Sequence, residues 1–442
     1  MASTDTSESS TTPRRLTPFR WAFPIVVVTL LASLLGVMYL DYIVDPEKNL
    51  HDFPIALVNQ DVGDDLSTGG PAKHVNFGDQ VTDGLRKAVP ADKIDLRVLG
   101  INEAQLQMQS AQVYGTIIIP SDFSKRLGIL GVGSVVPGDI TRPVITLQTN
   151  PRTGAFGTTI VQKFGAQALT QVNTQVGQQL TDQVKTTLTP PPGGPPAPDL
   201  SAATMITLAQ PLNIVVDQFR PLPGGSGEGL TAFFYSLLLL LAGMVGAMII
   251  HQLIDSALGF IPTEWGPWYV HNSRAPISRT RTLLLKWSAV VVMAVAVSAA
   301  LLGIGSALGM PIDRPLLLFL YGAFVITAVG VTCTSVLAAV GTAGLIINLI
   351  IFIILGLPSS GGTVPIEATP KYFGWLASFE PMHQVFLGTR SILYFYGGGT
   401  AGLSRGLWMS TLGLAIGLVL GLVITRFYDR RGLDRKPAGA VA

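Results

Sequence analysis

The sequence predicts an α-helical integral membrane protein with six transmembrane helices and an α/β domain inserted between the first and the second helix. Three observations support this fold class: six long apolar runs, a polar stretch with alternating strand and helix patterns after the first run, and sparse charge. Hydrophobic residues make up 48% of the 442 residues and charged residues only 13%. A chain of this composition does not require one large soluble core.

Each apolar run is expected to cross the bilayer. At a rise of about 1.5 Å per residue, about 20 helical residues span a hydrocarbon core of about 30 Å. The predicted spans are 21–43, 230–254, 283–308, 316–338, 342–357 and 407–427. The first run is too long for the apolar part of a cleaved signal peptide, so we favour an uncleaved signal anchor.

Basic residues predict the orientation of these helices. Arginines precede the first run, a basic tail follows the last one, and the segment between the second and third runs is also mainly basic. By the positive-inside rule both termini lie in the cytoplasm. The expected localisation is the plasma membrane, the inner membrane of a bacterium, with several crossings. Residues 1–20 are predicted to be a disordered cytoplasmic tail and residues 429–442 a basic cytoplasmic tail.

The polar stretch after the first run has the pattern of a small α/β unit. Strands are predicted at 53–59, 94–99, 114–120 and 142–149, with helices at 76–89 and 102–112 and a short helix from Ser121. This alternation favours a sheet covered by helices. We therefore expect residues 44–188 to form an extracytoplasmic α/β domain.

The end of this domain is predicted to be a helical stalk at 155–188. Apolar residues recur in it at every fourth position, so the stripe winds slowly around the helix. Packing of the stalk on its own domain is the simpler interpretation, and an intermolecular coiled coil is the alternative. Residues 189–229, rich in proline and glycine, are predicted to be an extended linker to the five-helix permease domain at 230–428.

Residues 358–404, the outer hairpin, interrupt the apolar pattern after the fifth run. Its candidate functional residues are Pro358, Gly361, Gly362, Glu367, Glu380, His383 and Arg390. Proline and glycine break the helix here, and non-helical backbone at membrane depth needs protein or water around it. We expect a re-entrant element near the outer face, with the Glu380 carboxylate held by Arg390, His383 or water.

Several motifs in this chain resemble the YhgE/Pip (phage infection protein) family of the type-2 ABC-transporter permease superfamily. In the outer hairpin the resemblance rests on Ser360, Gly361, Gly362, Thr363, Pro365, Glu367, Pro370, Pro381, Met382 and Arg390. The segments 53–63, 77–87, 114–127 and 221–237 resemble the same family in the same order. Many members carry a much longer coiled-coil ectodomain, so functions that depend on a long reach through the envelope are not expected here.

The resemblance implies a permease-like subunit that works as a homodimer with a separate ATPase subunit. It also implies that residues 259–287, the coupling region, face that ATPase. The candidate residues there are Glu264, Trp265, Trp268, Arg274, Arg279 and Arg281. Interfacial aromatic and basic side chains are also typical of a loop that contacts membrane lipid, so the alternatives are a docking helix and a lipid-contacting surface loop.

Other kinds of chemistry have little support in the sequence. No GxxxxGK[ST] motif is present, so the chain is not expected to be an enzyme that hydrolyses nucleotide by that route. His251 with Asp255, and Glu380 with His383, have helical spacing for metal ligands, but each pair occurs once and we favour polar pairs without metal. A net charge of +2 gives no argument for nucleic acid, and no cofactor is expected.

Two functions remain open from the sequence. The first is an exporter subunit for a lipid-like or amphiphilic compound, with a substrate path along the second and fifth helices near Gly243, Gly246, Thr342 and Asn348. A lone amide such as that of Asn348 needs a partner in a membrane helix, either in the bundle or in the substrate. The second is a non-transporting envelope scaffold or surface receptor, a component of a secretion machine or a phage receptor, whose ectodomain binds an envelope protein.

Overall fold

The computed structural model describes residues 18–66, 73–133, 141–188, 202–433 and 435. Up to residue 218 the elements are α1 Pro18–Ile43, β1 Phe53–Asn59, β2 Asp64–Leu66, β3 Lys73–Val75, α2 Phe77–Ala88, β4 Ile94–Val98, α3 Ile101–Gln109, β5 Gly115–Ile119, α4 Phe123–Gly133, β6 Val144–Thr149, α5 Ala155–Leu188, α6 Ala202–Ala209 and β7 Asn213–Gln218. The remaining elements are α7 Leu230–Ala257, β8 Thr263–Trp265, β9 Trp268–Val270, α8 Arg279–Ala307, α9 Pro315–Val340, α10 Ala343–Leu349, α11 Lys371–Ala377, α12 Pro381–Tyr394 and α13 Ser404–Arg430.

Five helices of the described chain are long and apolar enough to cross a membrane. They cover Ala22–Ile43, Gly227–Ala257, Arg279–Ala307, Pro315–Val340 and Gly399–Arg430. Helix α9 is the most enclosed of them, because α7, α8 and α13 all pack against it. The sequence predicted six such helices, and the fifth predicted span, 342–357, is where the structure differs.

At the fifth predicted span, α10 continues only into a π-helical turn at Ile350–Ile354. The resulting apolar helix, Ala343–Ile354, is too short to cross the membrane, because a full crossing needs about 20 residues. Proline at position 358 and glycine at position 361, which has a φ of 68°, end the helical path. The chain then folds into α11 and α12.

Between α1 and α7 lies a five-stranded sheet with the order β4-β1-β5-β6-β7. The pairs β1–β4, β1–β5 and β6–β7 are parallel, whereas β5–β6 is antiparallel. Helices α2 and α5 contribute Val81 and Val161 to the core on one face, and α3 contributes Met108 to the core on the other. Strand β1 is buried along almost its whole length because both faces of the sheet are covered.

Helix α5 has the bounds predicted from the sequence and packs on this sheet. Its apolar stripe from Ile160 to Val184 belongs to the same buried core as β1, β5 and β6. Two glycines allow the close contact: a Cβ at Gly165 would meet Leu147 at 2.7 Å, and one at Gly177 would meet the Ala209 carbonyl oxygen at 2.3 Å. The stripe is therefore used within the chain, which leaves little of it for an intermolecular coiled coil.

The prediction of an extended linker at 189–229 was wrong for residues 202–218. Helix α6 packs against α5, and β7 pairs with β6 in register from Val144–Asn213 to Thr149–Gln218. Residues 189–201 lie outside the described residues. The β-prone run at 213–216 becomes an edge strand because one side of β6 is available for pairing. This pairing depends on the folded sheet, so the proline-rich composition of the segment could not predict it.

The sheet and the outer hairpin share one hydrophobic core. Tyr42 of α1, Val364 and Phe373 are buried in the same cluster as Phe53 and Leu57 of β1. The Tyr42 hydroxyl hydrogen-bonds the Thr363 hydroxyl at 2.6 Å. Helix α1 thus contacts the hairpin and also the π-helical turn before it, where the Tyr39 hydroxyl donates to the Ile353 carbonyl oxygen at 3.1 Å.

Candidate functional site

A cavity of about 400 Å³ lies in the helical bundle between α9, the helix at 343–354, α12 and α13. Most of its wall is apolar, with side chains such as Val329, Phe352, Phe379 and Ile416. We call it the bundle cavity. Its size is in the range of small-molecule sites in proteins.

Three polar residues of the bundle cavity each carry a buried oxygen atom that has no hydrogen-bond partner. These atoms are Asn348 Oδ1, Glu380 Oε1 and Gln384 Oε1. The three residues are at most 2% exposed. A buried acceptor without a donor costs about 1–3 kcal/mol, so three of them around one cavity need an explanation.

The orientation of both amides is fixed by their nitrogen atoms. Asn348 Nδ2 donates to the Cys333 carbonyl oxygen at 3.2 Å, and Gln384 Nε2 donates to the Ala377 carbonyl oxygen at 2.6 Å. Rotating either amide by half a turn would set two oxygen atoms against each other. The amide oxygens are therefore the atoms left without a hydrogen-bond donor.

Glu380 likewise has one oxygen atom that accepts hydrogen bonds and one that has no donor. As the residue before α12, it accepts through Oε2 from the His383 backbone N–H at 3.1 Å and from the Ser359 hydroxyl at 3.4 Å. This is the usual role of a capping residue at a helix N-terminus. Burial raises the pKa of Glu380 to about 7, and the hydrogen bonds from Met382, His383 and Ser359 oppose that rise.

The expected pairing of Glu380 with Arg390 was wrong. Arg390 lies almost three turns further along α12 and lines a different cavity, together with Glu367 and His383. His383 reaches Glu380 through its backbone only, since its ring Nδ1 contacts the Ser360 carbonyl oxygen at 2.8 Å. Helix α12 therefore separates the two acidic residues that the sequence had grouped together.

The other residues of the outer hairpin attach it to its surroundings. The Glu367 carboxylate accepts from the Tyr114 hydroxyl at 2.9 Å, and the Glu367 carbonyl oxygen accepts from the His51 N–H at 2.8 Å. Pro358 is buried in the short turn that follows the π-helical residues 350–354. Gly362 lies against the ring of Phe233, where a Cβ would come within 2.2 Å. These contacts join the hairpin to the sheet and to α7.

Of the four predicted substrate-path residues, only Asn348 lines the bundle cavity. Thr342 is exposed at the start of α10. Gly243 packs against Val329 of α9, and Gly246 packs against Met293 of α8. The two glycines permit close helix contact, which was the alternative use of small residues in a membrane bundle. Gln384 was missed, although a lone amide in an apolar helix is the same signal that had singled out Asn348.

The coupling region does not contain the docking helix that was one alternative. Strands β8 and β9 form a short antiparallel hairpin in which Glu264 pairs with Tyr269. Trp268 is 72% exposed on this hairpin, and the Trp265 side chain lies outside the described residues. The region therefore presents exposed aromatic surface from a β-hairpin.

Basic residues of the coupling region hold the end of α13. Asp429 accepts from the Arg279 N–H at 2.9 Å, and Arg279 Nε donates to the Leu433 carbonyl oxygen at 2.7 Å. Arg274 Nη1 donates to the Arg435 carbonyl oxygen at 2.8 Å. The Arg281 N–H donates to Ser278, which caps α8. The coupling region and the C-terminal segment consequently form one structural unit.

Next to this unit lies a buried ionic cluster around Asp255. Lys286 Nζ lies 2.6 Å and Arg435 Nη1 lies 2.9 Å from Asp255 Oδ1, and His251 Nε2 lies 3.3 Å from Oδ2. The sequence had paired only His251 with Asp255. Within the described ranges there is no group of three or more His, Cys, Asp or Glu side chains that could hold a metal ion. Positive charge from α8 and the C-terminal segment occupies that position instead.

Comparison with known proteins identifies the family. No curated protein matches the chain significantly. The family described as ABC-2 family transporter protein matches residues 20–426, most of the chain. Members of this family supply the transmembrane component of an ABC transporter and not its nucleotide-binding subunit. With five long apolar helices and this match over most of its length, the chain belongs to the ABC-2 family of transporter permeases.

Proposed function

We propose that the chain is the permease subunit of an ABC exporter that moves a lipid-like or amphiphilic compound outward across the plasma membrane. The bundle cavity is the observation that carries this proposal. Its wall suits an apolar body, and its three unpaired oxygens suit a polar end that donates hydrogen bonds. An amphiphile combines both properties.

The chemistry of the three oxygens limits which chemical groups can form the polar end of the substrate. Asn348 and Gln384 offer amide acceptors, and Glu380 offers a third when its carboxylate is ionised, so the matching group is a donor such as a hydroxyl or an ammonium. Each hydrogen bond would relieve a buried acceptor, and in a water-poor cavity the absence of a donor is penalised strongly. The polar end of the substrate is therefore proposed to be recognised at α12.

The remaining parts of the proposal follow the resemblance to the YhgE/Pip family. A separate ATPase subunit would supply the energy and dock on the coupling region, and two copies of the chain would form the pore. Both termini would be cytoplasmic, with the sheet between α1 and α7 outside. The exposed apolar side chains along one side of α7, such as Phe234, Leu238 and Val245, suit either the second copy or lipid.

Probe binding tests the bundle cavity. The full chain in detergent is titrated with a fluorescent long-chain alkylammonium and with a matched probe that has no hydrogen-bond donor. Wild-type protein should prefer the ammonium probe, and Asn348→Leu and Gln384→Leu should each weaken its binding by about tenfold, because a hydrogen bond to a charged group is lost. Gln178→Leu on the exposed side of α5 is the matched control. Equal binding of the two probes, or no effect of the cavity variants, contradicts the proposal.

Affinity purification from mild detergent tests the partner. Recovery of a nucleotide-binding subunit supports the permease function. Loss of that subunit on replacing Trp268 with Ala, with the fold intact, would assign the docking surface to the β8–β9 hairpin. Repeated recovery of an envelope protein without any ATPase would instead favour a scaffold or receptor.

A further inference from the structure

A second cavity of about 410 Å³ lies where the outer hairpin meets the sheet domain. Gln112 and Tyr114 line it from the sheet side, and Glu367, Arg390 and Arg405 line it from the membrane side. We call it the junction cavity. The bundle cavity lies on the other side of α12, so the function proposed above makes no use of this space.

The most informative residue of the junction cavity is Arg390. It is 8% exposed, and its Nε atom is buried without a hydrogen-bond partner. Its guanidinium carbon lies 5.3 Å from the ring centre of Phe386 and 5.9 Å from that of Phe395. Two aromatic rings hold the plane of the guanidinium but provide no negative charge.

No carboxylate in the described parts of the chain lies within 4.0 Å of Arg390 to form an ion pair. Glu367 is the acidic residue of the same cavity, and the Tyr114 hydroxyl engages its Oε2 atom. A buried cation without a close counter-ion is costly, and this cost is relieved when an anion binds. The position of Arg390 is thus better explained by a ligand than by an internal pair.

A second cation lines the same cavity. Arg405, near the start of α13, is exposed and makes no ion pair with any residue that the structure describes. Burial, and then the positive charges of Arg405 and Arg390, lower the pKa of His383 to about 4, so the ring stays neutral. With two arginines against Glu367, the cavity lining carries an excess of one positive charge.

We propose that the junction cavity binds a phosphate group, with Arg390 and Arg405 as its ligands. Guanidinium groups present several N–H donors in one plane and match phosphate oxygens in pairs. A singly charged phosphate would neutralise the excess charge of the lining. The group could belong to a phospholipid headgroup or to free phosphate, because the recognising chemistry is the same.

Titration of the purified full chain tests this site. The probes are inorganic phosphate, a short-chain phosphatidylglycerol and a short-chain diacylglycerol that lacks phosphate. The wild-type protein should bind the phosphatidylglycerol and not the diacylglycerol. Arg405→Gln should weaken this binding by about tenfold, since one charge-assisted contact is lost. Arg314→Gln removes an exposed arginine outside the cavity lining and should have no effect.

Two further variants make the result decisive. Arg390→Gln should abolish binding of the phosphate probes. Because this variant changes a buried residue, its folding is checked by size-exclusion chromatography. Glu367→Gln should strengthen binding, because it removes the competing negative charge. Binding of inorganic phosphate with the same arginine dependence identifies a free phosphate site, whereas binding of the lipid alone identifies a headgroup site. Binding that is unchanged in Arg405→Gln, or absent for every phosphate probe, overturns the proposal.

These results are independent of the exporter proposal. The alkylammonium probe reports on Asn348 and Gln384, which line the bundle cavity and not the junction cavity. The phosphate probes report on Arg390 and Arg405, which line the junction cavity and not the bundle cavity. Loss of one response with the other intact shows which of the two proposals has failed.

Discussion

Glu380 combines a structural role with an unpaired atom. Its Oε2 atom caps α12, and its Oε1 atom lies buried without a donor. Because burial raises the pKa of Glu380 to about 7 from the ordinary 4.5, the folded protein holds a proton that the unfolded chain releases. The folded state is therefore stabilised at low pH relative to high pH.

The contribution of Glu380 to stability is complete below a pH of about 4.5 and is lost as the pH rises through about 7. Glu380→Gln keeps the cap and stays neutral at every pH. We therefore expect the variant to match the wild type near pH 4 and to be more stable near pH 8, by up to about 3 kcal/mol. Thermal unfolding of both proteins at the two pH values measures the difference.

The exposed Glu264 provides the control for this comparison. Glu264→Gln removes the same charge from the β8–β9 hairpin and should change the melting temperature equally little at both pH values. A Glu380→Gln variant that follows the control would mean that the Glu380 carboxylate is solvated or paired in the folded protein.

At the level of single residues, the sequence could identify candidates but not their partners. Asn348 and Glu380 stood out because polar groups are costly among apolar neighbours. Which oxygen is left free depends on the carbonyl of Cys333 in another helix and on the turn before α12. Such contacts join residues far apart in the chain, so the sequence could not decide between Arg390, His383 and water as the partner of Glu380.

Helices α9 and α13 pack along each other, and glycine allows their close approach. A Cβ at Gly417 would lie 2.6 Å from the Thr332 hydroxyl and 2.8 Å from the Thr332 Cα atom. The second of these atoms is backbone and cannot move aside by a rotamer change. Close approach of helices at small residues is a general means of association in membranes.

Gly417→Ala should therefore separate α9 from α13 and destabilise the protein by about 1–3 kcal/mol, the usual cost of overpacking. Gly413 is the matched control, since it lies one turn earlier in α13 and a Cβ there meets nothing within 4 Å. Gly413→Ala should be neutral or slightly stabilising because alanine favours the helix by about 1 kcal/mol. The melting temperatures of the two variants in detergent provide the comparison, and equal values would rule out tight packing at Gly417.

Elements with strong local patterns were predictable from the sequence. The bounds of β1 and α5 agree with the prediction to the residue, because each has a clear apolar period and a distinct end. Strand β7 was not predictable, since it depends on pairing with β6. The π-helical turn at 350–354 was not predictable either, because its apolar residues are equally suited to a regular helix.

At the scale of the whole molecule, the sheet domain is not an appendage on a flexible tether. Its core continues into the outer hairpin through Tyr42 and Phe373, and the Arg152 guanidinium donates to the Tyr394 carbonyl oxygen at 2.5 Å. A shift of the hairpin would therefore move both α12, which lines the bundle cavity, and the wall of the junction cavity.

Cysteine labelling tests the proposed topology, with both termini inside and the sheet domain outside. The native Cys333 is buried in α9, so it gives no background label. Asn173 of α5 is a poor site because it is buried and accepts from the Leu212 N–H, whereas Gln178 on the same helix is exposed. Gln178→Cys should react with a membrane-impermeant maleimide in intact cells.

Asn272 provides the opposite side of this test. It is exposed between β9 and α8, in the segment whose excess of Arg and Lys favours the cytoplasm. Asn272→Cys should react only after the cells are permeabilised. Labelling of separate samples with a membrane-permeant maleimide shows that both cysteines are reactive. A reversed pattern would place the sheet domain in the cytoplasm, and the β8–β9 hairpin could then no longer be the surface that meets a cytoplasmic ATPase.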